Sequence, residues 1–329
     1  MAVLNATMLS LLDSYSRRDP DGKIAAIVEI LTQRTVVMED LEMIEGNTKT
    51  GHVITTRTAL PAIQYRRYNE GIAVTKSRTD QVTESIGKMA GMSKVDVELA
   101  ALHGDGAAFR ASEDDAFLQS FANEVETGFF YNSTLTSPEK WQGLAPRFAS
   151  TTGPGGSQVI KMDASASGAD QTSLWLVGHG PKMVHGIFPK GEMLGLNPTD
   201  GGKQLTRDAN NNEFWAWVTS WSWNFGVCVE DWRYVVRVAN IDMGNILATG
   251  SALIDAMIRG QRKIFKPGAK LVWYGNRDVL TFLELQAKNA VTGAGPLSFR
   301  DIGGQPILHF RGVPIKETDA LLSTESPLS

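Results

Sequence analysis

The 329-residue chain predicts an α+β fold on three observations. A helical pattern occupies the first forty residues, strand-like alternation fills much of 42–98, and one long helix then precedes a mixed half of strands and helices. With 42% apolar residues the chain can bury a sizeable core. Charged residues make up 21% and the net charge is −4, which excludes a composition-driven nucleic-acid binder and an acidic disordered tail. Cys228 is the only cysteine, so there is no intramolecular disulfide and no cysteine-rich metal site, as suits a reducing compartment. The N-terminal residues lack the basic-then-apolar order of a signal peptide. No run of 18 apolar residues occurs, so no membrane-spanning helix is expected, and the chain reads as soluble and made in a cytoplasm.

The elements follow in order. Asp19-Pro20-Asp21-Gly22 is a helix-entry turn, and Ile24, Ile27, Val28 and Leu31 line one face after it. "GHVITTRTALPAIQYRRYNEGI" predicts strands of an extended excursion, and alternation continues through Lys94, Asp96 and Glu98 against Val95, Val97 and Leu99. Ser112 is placed to cap a long helix, with Phe117, Phe121, Val125 and Phe129 recurring every fourth residue along it. Some twenty residues at ~1.5 Å each make a rod of about 30 Å. "TTGPGGS" is the best boundary between subdomains. Beyond it, "SLWLV" is a short buried strand, "NILATGSALIDAMIRGQ" a helix, and "KLVWYGN" a strand leading into the helix "RDVLTFLELQAKNA". "PILHFRGVPIKE" closes the chain as strand, turn and strand. No internal repeat is present.

Catalytic patterns are missing. His52, His103, His179, His185 and His309 form no H-E-x-x-H or i,i+4 pair, so no metal site is expected. "GHGPKMVHG" has Met183 where a dinucleotide fingerprint needs its third glycine, and reads as a loop. Gly87-Lys88 lacks the first glycine and the Ser/Thr of a phosphate loop. Cys228 sits in an apolar strand as a core thiol, and Glu230 and Asp231 are adjacent, so they point to opposite strand faces. No cofactor and no catalytic residue is expected. Arg66 and Arg67, between Tyr65 and Tyr68, read better as an interface pair than as a grip on nucleic acid.

"FWAWVTSWSWNF" places Trp215, Trp217, Trp221, Trp223 and Phe225 on one strand face. Four exposed indoles would invite aggregation, so the row is expected to be buried against a helix or a neighbouring subunit. A carbohydrate platform, or a platform for stacked bases, is the alternative. Gly226 is expected to interrupt the strand as a turn or bulge, because the apolar parity then switches to Trp232, Tyr234, Val236 and Val238.

The order of arm, two-stranded excursion, long helix and mixed domain resembles the major capsid proteins of tailed bacteriophages, which have the Hong Kong 97-type fold. "DGKIAAIVEILTQ", "EGNTKTGHVITTRTALPAIQYRRYNEG", "AAFRASEDDAFLQSFANEV", "LAPRF", "LWLVGHGPKMVHGIFPKG", "DWRYVVRVANID" and "GVPIKETDALLSTE" are similar to recurrent segments of a short-tailed-phage branch. The resemblance implies an N-terminal arm at 1–45 and an extended loop at 46–78. It also implies a peripheral domain at 79–149 with a spine helix at 110–131. An axial domain would span 150–300, with peripheral strands near 225–241, and 301–329 would return to the peripheral domain. It implies a shell subunit whose partner is itself, in hexamers and pentamers, enclosing double-stranded DNA held non-specifically, with no membrane. A separate scaffolding protein, a portal and a decoration protein would be further partners, and the virion the location after assembly in the host cytoplasm. Some relatives carry a Lys–Asn crosslink, but nothing marks such a pair among Lys49, Lys76 and Asn276. Arg57, Arg66 and Arg67 are the candidates for contacts between subunits. The competing reading is a carbohydrate-binding or hydrolytic α/β protein built on the tryptophan row.

Overall fold

The computed structural model describes residues 35–102, 106–153, 155–163, 168, 170–208, 210–244, 246, 250–265, 269–289, 297–302 and 305–328. The helix expected between Ile24 and Leu31 lies outside them. The described chain opens with a one-turn helix α1 (Val37–Asp40) and strand β1 (Met43–Glu45). A two-stranded antiparallel ribbon follows, β2 (Gly51–Ala59) with β3 (Arg78–Ser85), registered from Gly51 opposite Ser85 to Ala59 opposite Arg78. β4 (Gly87–Asp96) then runs back into the body.

β4 ends earlier than the alternation suggested. Asp96 accepts a hydrogen bond from the Glu98 amide at 2.8 Å and so caps a short helix α2 (Val97–Ala101). The long helix α3 spans Gly106–Tyr131, 26 residues, and starts six residues before Ser112, which is therefore interior and not a cap. The acidic residues that suggested an N-terminus at Ser112 lie inside the helix, with Glu113 and Asp114 half-buried and Asp115 exposed.

After α4 (Leu144–Arg147) come β5 (Val159–Lys161), β6 (Gln171–His179), β7 (Val184–Phe188), β8 (Asn197–Arg207), β9 (Glu213–Val229) and β10 (Val235–Asp242). Helix α5 (Gly250–Lys263), β11 (Lys270–Gly275), α6 (Arg277–Asn289), β12 (Leu297–Ile302), β13 (Gln305–Phe310) and β14 (Val313–Glu317) complete the chain. β7 begins within "GHGPKMVHG", which reads from the sequence as a loop, and β8 has no counterpart in the sequence reading, because Gly201, Gly202 and only sparse apolar residues offer no period to detect.

All nine residues of β6 are buried, because it is covered on both faces. It pairs antiparallel with β10 along one edge and with β11 along the other. Side-chain alternation then divides the interior. Trp175, Val177, Val235, Ala239, Val272 and Tyr274 join Val125, Phe129 and Phe130 of α3 in one core. Leu174, Leu176, Val236, Val238 and Trp273 join α5 and α6 through Leu253, Met257, Phe282 and Leu283 in the other.

β9 runs unbroken through Gly226, contrary to the expected turn. Gly226 is where the strand exchanges partners, from β4 up to Phe225 to β7 from Gly226 onward. A Cβ there would stand 2.8 Å from the Ser85 carbonyl oxygen, so only glycine admits the crossing. The reversal comes later, at a 3₁₀ turn over Trp232–Tyr234 capped by Asp231.

Candidate assembly surface

The tryptophan face lies beneath α3. Residues opposite one another on paired strands share a face, and Trp217, Trp221 and Trp223 stand opposite Val95, Gly91 and Met89 of β4. A Cβ on Gly91 would meet the Phe117 ring at 3.0 Å and Phe121 at 3.4 Å, so glycine lets the helix settle on the sheet. Burial deepens along the helix: Phe117 is half-buried, while Phe121, Val125 and Phe129 are buried. The tryptophan row is not uniform. Trp221 is buried and Trp217 and Trp223 are half-buried within the subunit, but Trp215 is 52% exposed, so of the row expected to be covered by a helix or a neighbouring subunit the helix covers only the inner part. The physical reason is reach. The Arg110 guanidinium near the start of α3 covers Trp217 at 4.8 Å, whereas Trp215 lies two residues further out, with only the Lys203 ammonium over its ring at 5.3 Å. A sugar platform needs open indole faces in a row, and the helix removes them.

The C-terminal segment is sewn into the body. Glu325 receives hydrogen bonds from Tyr131 Oη and Ser173 Oγ at 2.5 Å each and from Arg237 Nη2 at 2.9 Å, all of them little exposed. Burial, then the Glu325 charge and its hydrogen bond, push the Tyr131 phenol far above its ordinary range, so it remains a donor. A second enclosed set lies at the end of the arm. Glu126 of α3 accepts from the Val36 and Val37 amides at 3.0 and 3.1 Å and from the Thr318 hydroxyl at 3.1 Å. Burial outweighs those bonds and raises its carboxyl pKa. Beside it, Tyr274 Oη donates to Asp40 Oδ2 at 2.8 Å and bonds His179 Nε2 at 2.8 Å. Burial opposes the charge on Asp40, but bonds from Lys316 and Tyr274 win and lower its pKa. Asn276 stays in the fold: it caps α6 through the Val279 amide at 2.9 Å.

The ribbon differs. At its root, Glu84 is buried and held by Arg147 in a bidentate pair at 2.5 and 2.6 Å. Arg147 also reaches the Gly143, Gln142 and Val227 carbonyls at 3.1, 3.0 and 3.4 Å, so α4 clamps the ribbon to β9. Sequence reading missed this arginine, since its partner is 63 residues away and "LAPRF" carries no pairing signal. Beyond Thr55 nearly every residue is exposed as far as Thr83. Leu60, Ile63, Tyr65, Tyr68, Ile72 and Val74 all face solvent, with Tyr65 and Tyr68 entirely open. Arg57, Arg66 and Arg67 are exposed among them. Arg66 Nε donates to the Glu70 carbonyl at 2.8 Å, and the side chains of Arg57 and Arg67 have no partner among the described residues.

This geometry coincides with a family match over residues 19–329, to the model described as major capsid protein GP7. The chain belongs to that family. Among solved structures, a chain of bacteriophage Epsilon15 aligns at 31% identity over 100% of this chain and 99% of that one, with a TM-score of 0.74. The capsid of bacteriophage JBD30 aligns at 10% identity over 89% and 93% of the two chains, with a TM-score of 0.49. No curated protein sequence matches. The capsid protein has the Hong Kong 97-type fold, forms the capsid shell by self-assembly into capsomers and is a structural component of the virion. No described helix is long and apolar enough to cross a membrane.

Proposed function

We propose that the ribbon formed by β2 and β3, with its tip at 60–77, is the arm with which each capsid subunit grips a neighbour. It would close hexamers and pentamers of an icosahedral shell around double-stranded DNA. One observation carries this reading: the tip exposes six large apolar side chains, Leu60 to Val74, that none of the described residues of their own subunit covers. An isolated two-stranded ribbon is marginal in water, and an apolar patch of this size marks a contact surface. In this reading Arg57, Arg66 and Arg67 pair with carboxylates of the adjacent subunit, since guanidinium groups bind carboxylates through two parallel bonds and keep their charge when half-buried. The chain's net charge of −4 supports a loose, non-specific relation to packaged DNA. The role is structural rather than enzymatic. A scaffolding protein, a portal and a decoration protein complete the partners this reading expects of a major capsid protein.

The test is the double variant Arg66→Ala with Arg67→Ala. Circular dichroism should show a folded subunit while electron microscopy shows particles lost or sharply reduced, because a stranded carboxylate recurs at every copy. Normal particles at normal yield would reduce these arginines to solvated charge.

A further inference from the structure

We propose that His52, His185 and Glu230 form a binding site for a divalent transition-metal ion of the zinc class, placed where the ribbon joins the body. The three residues come from β2, from β7 and from the end of β9, segments far apart in sequence. One donor atom from each lies within 4.8 Å of the other two. His52 Nε2 stands 3.9 Å from Glu230 Oε1, and the two imidazole rings meet edge to face with centroids 6.0 Å apart.

The second observation is independent of that proximity. His185 is completely buried, and neither ring nitrogen makes a well-formed hydrogen bond, although the Gly180 backbone lies close enough to favour its protonated form. The His52 Nδ1 atom is buried without a partner as well. Leaving a buried polar group unsatisfied costs on the order of 1–3 kcal/mol, and native interiors seldom tolerate two side by side. A cation between them would use those lone pairs. Two imidazoles and one carboxylate suit zinc and its neighbours, whereas magnesium and calcium want an all-oxygen shell. Three protein ligands leave a fourth position for water or an external donor.

His185 is paired with Cys228, so those two side chains share a face, and Glu230 follows just past the end of β9 on the parity of Cys228, while His52 approaches from β2 in the separate ribbon. Cys228 is buried in an apolar group with Ile54 and Ile187, beside the cluster and outside the donor set. Tetrahedral coordination with bonds near 2.0 Å needs ligand atoms ~3.3 Å apart. The donors must therefore draw together by about an ångström. His185 is fixed in the core, while the His52 and Glu230 side chains, 17% and 25% exposed, have room to move. Because β2 is ribbon and β7 and β9 are body, a bound ion would pin the ribbon's root beside the buried Glu84–Arg147 clamp, since His52 stands opposite Glu84 in the ribbon.

Cobalt(II) added to the full-length protein, as free subunits and as particles, provides the probe. Visible absorption should report one bound ion per subunit, displaced by zinc. His52→Asn combined with Glu230→Gln should weaken binding at least about tenfold, while His309→Asn, outside the cluster, should leave it unchanged. Amide exchange at the root strands, 51–55 and 82–86, should slow on adding metal to the wild type only. Absence of stoichiometric binding, or equal binding by the double variant, overturns the proposal. Should the double variant fail to fold, X-ray absorption of wild-type-bound cobalt decides: two imidazoles in the shell support the site, and an oxygen-only shell overturns it. Binding to free subunits separates this inference from the reading of the ribbon as an assembly arm.

Discussion

The body of the subunit and its ribbon handle charge and apolar surface in opposite ways. In the body, Arg237, Glu325, Ser173 and Tyr131 are mutually bonded with little exposure, as are Glu126 with its two amides and Asp40 with Tyr274, while Lys316 and the exposed Lys270 reach Asp40 from the surface. In the ribbon beyond Thr55, arginines, tyrosines and aliphatic side chains stand in solvent without cover. The body closes on itself. If the ribbon grips a neighbour as proposed, subunit stability and shell stability should respond to different residues.

Breaking the body should have the largest effect. Removing the Arg237 guanidinium (Arg237→Ala) strands the Glu325 carboxylate in the interior and should cost the subunit roughly 3–5 kcal/mol, read by urea unfolding. A loss below about 1 kcal/mol would mean that the C-terminal segment is not fastened by this pair. Along α3 the cost should grade with depth. Phe129→Ala should lose about 3–5 kcal/mol, Phe121→Ala a little less and the half-buried Phe117→Ala the least. Equal costs would contradict the way the helix sits on the sheet.

Acid should act on the body through His179. Burial holds its pKa down to about 4 against an ordinary value of 6.5, so the folded state keeps it neutral. Between those two values the unfolded chain binds more protons than the folded one. Stability should therefore fall as pH drops from 6.5 towards 4, by roughly 3 kcal/mol at most from this residue. His179→Gln keeps a donor for Tyr274 and should flatten that part of the pH profile. A slope unchanged in the variant would assign the acid sensitivity elsewhere.

The ribbon should show the smallest effect on the subunit itself. Tyr65→Ser with Tyr68→Ser removes two open rings and should move the unfolding free energy by less than about 0.5 kcal/mol, while particle yield falls steeply. A subunit destabilised as much as by Phe117→Ala would show that the tip packs on its own body, and would erase the contrast between the two regions.

Local periodicity was enough to place several elements. Phe117 to Phe129 announced α3, "SLWLV" announced β6, and "NRDVLTFLELQ" announced a helix whose cap is Asn276. Ser112 misled because acidic residues after a serine read as a helix start, yet the α3 backbone was already helical from Gly106. Gly226 looked like a break because parity alone cannot say which strand lies opposite. The two-stranded excursion could be read from alternation, but the strand pattern expected through Ile72 stops at Ala59, because Pro61 cannot donate to the ladder.

What the sequence determined by itself is therefore whatever depends on neighbours within a few residues: helix faces, strand faces, turns and caps. Only the tertiary structure decided which distant groups meet. Arg147 found Glu84, Arg237 found Glu325, and His52 and His185 came to face Glu230 because strand register and the packing of α3 set those distances. It also decided that Trp215 would escape the cover that Trp221 receives. The physical reason is that side-chain period repeats every two or 3.6 residues along a strand or helix, whereas the pairing of strands is chosen by burial summed over the whole sheet.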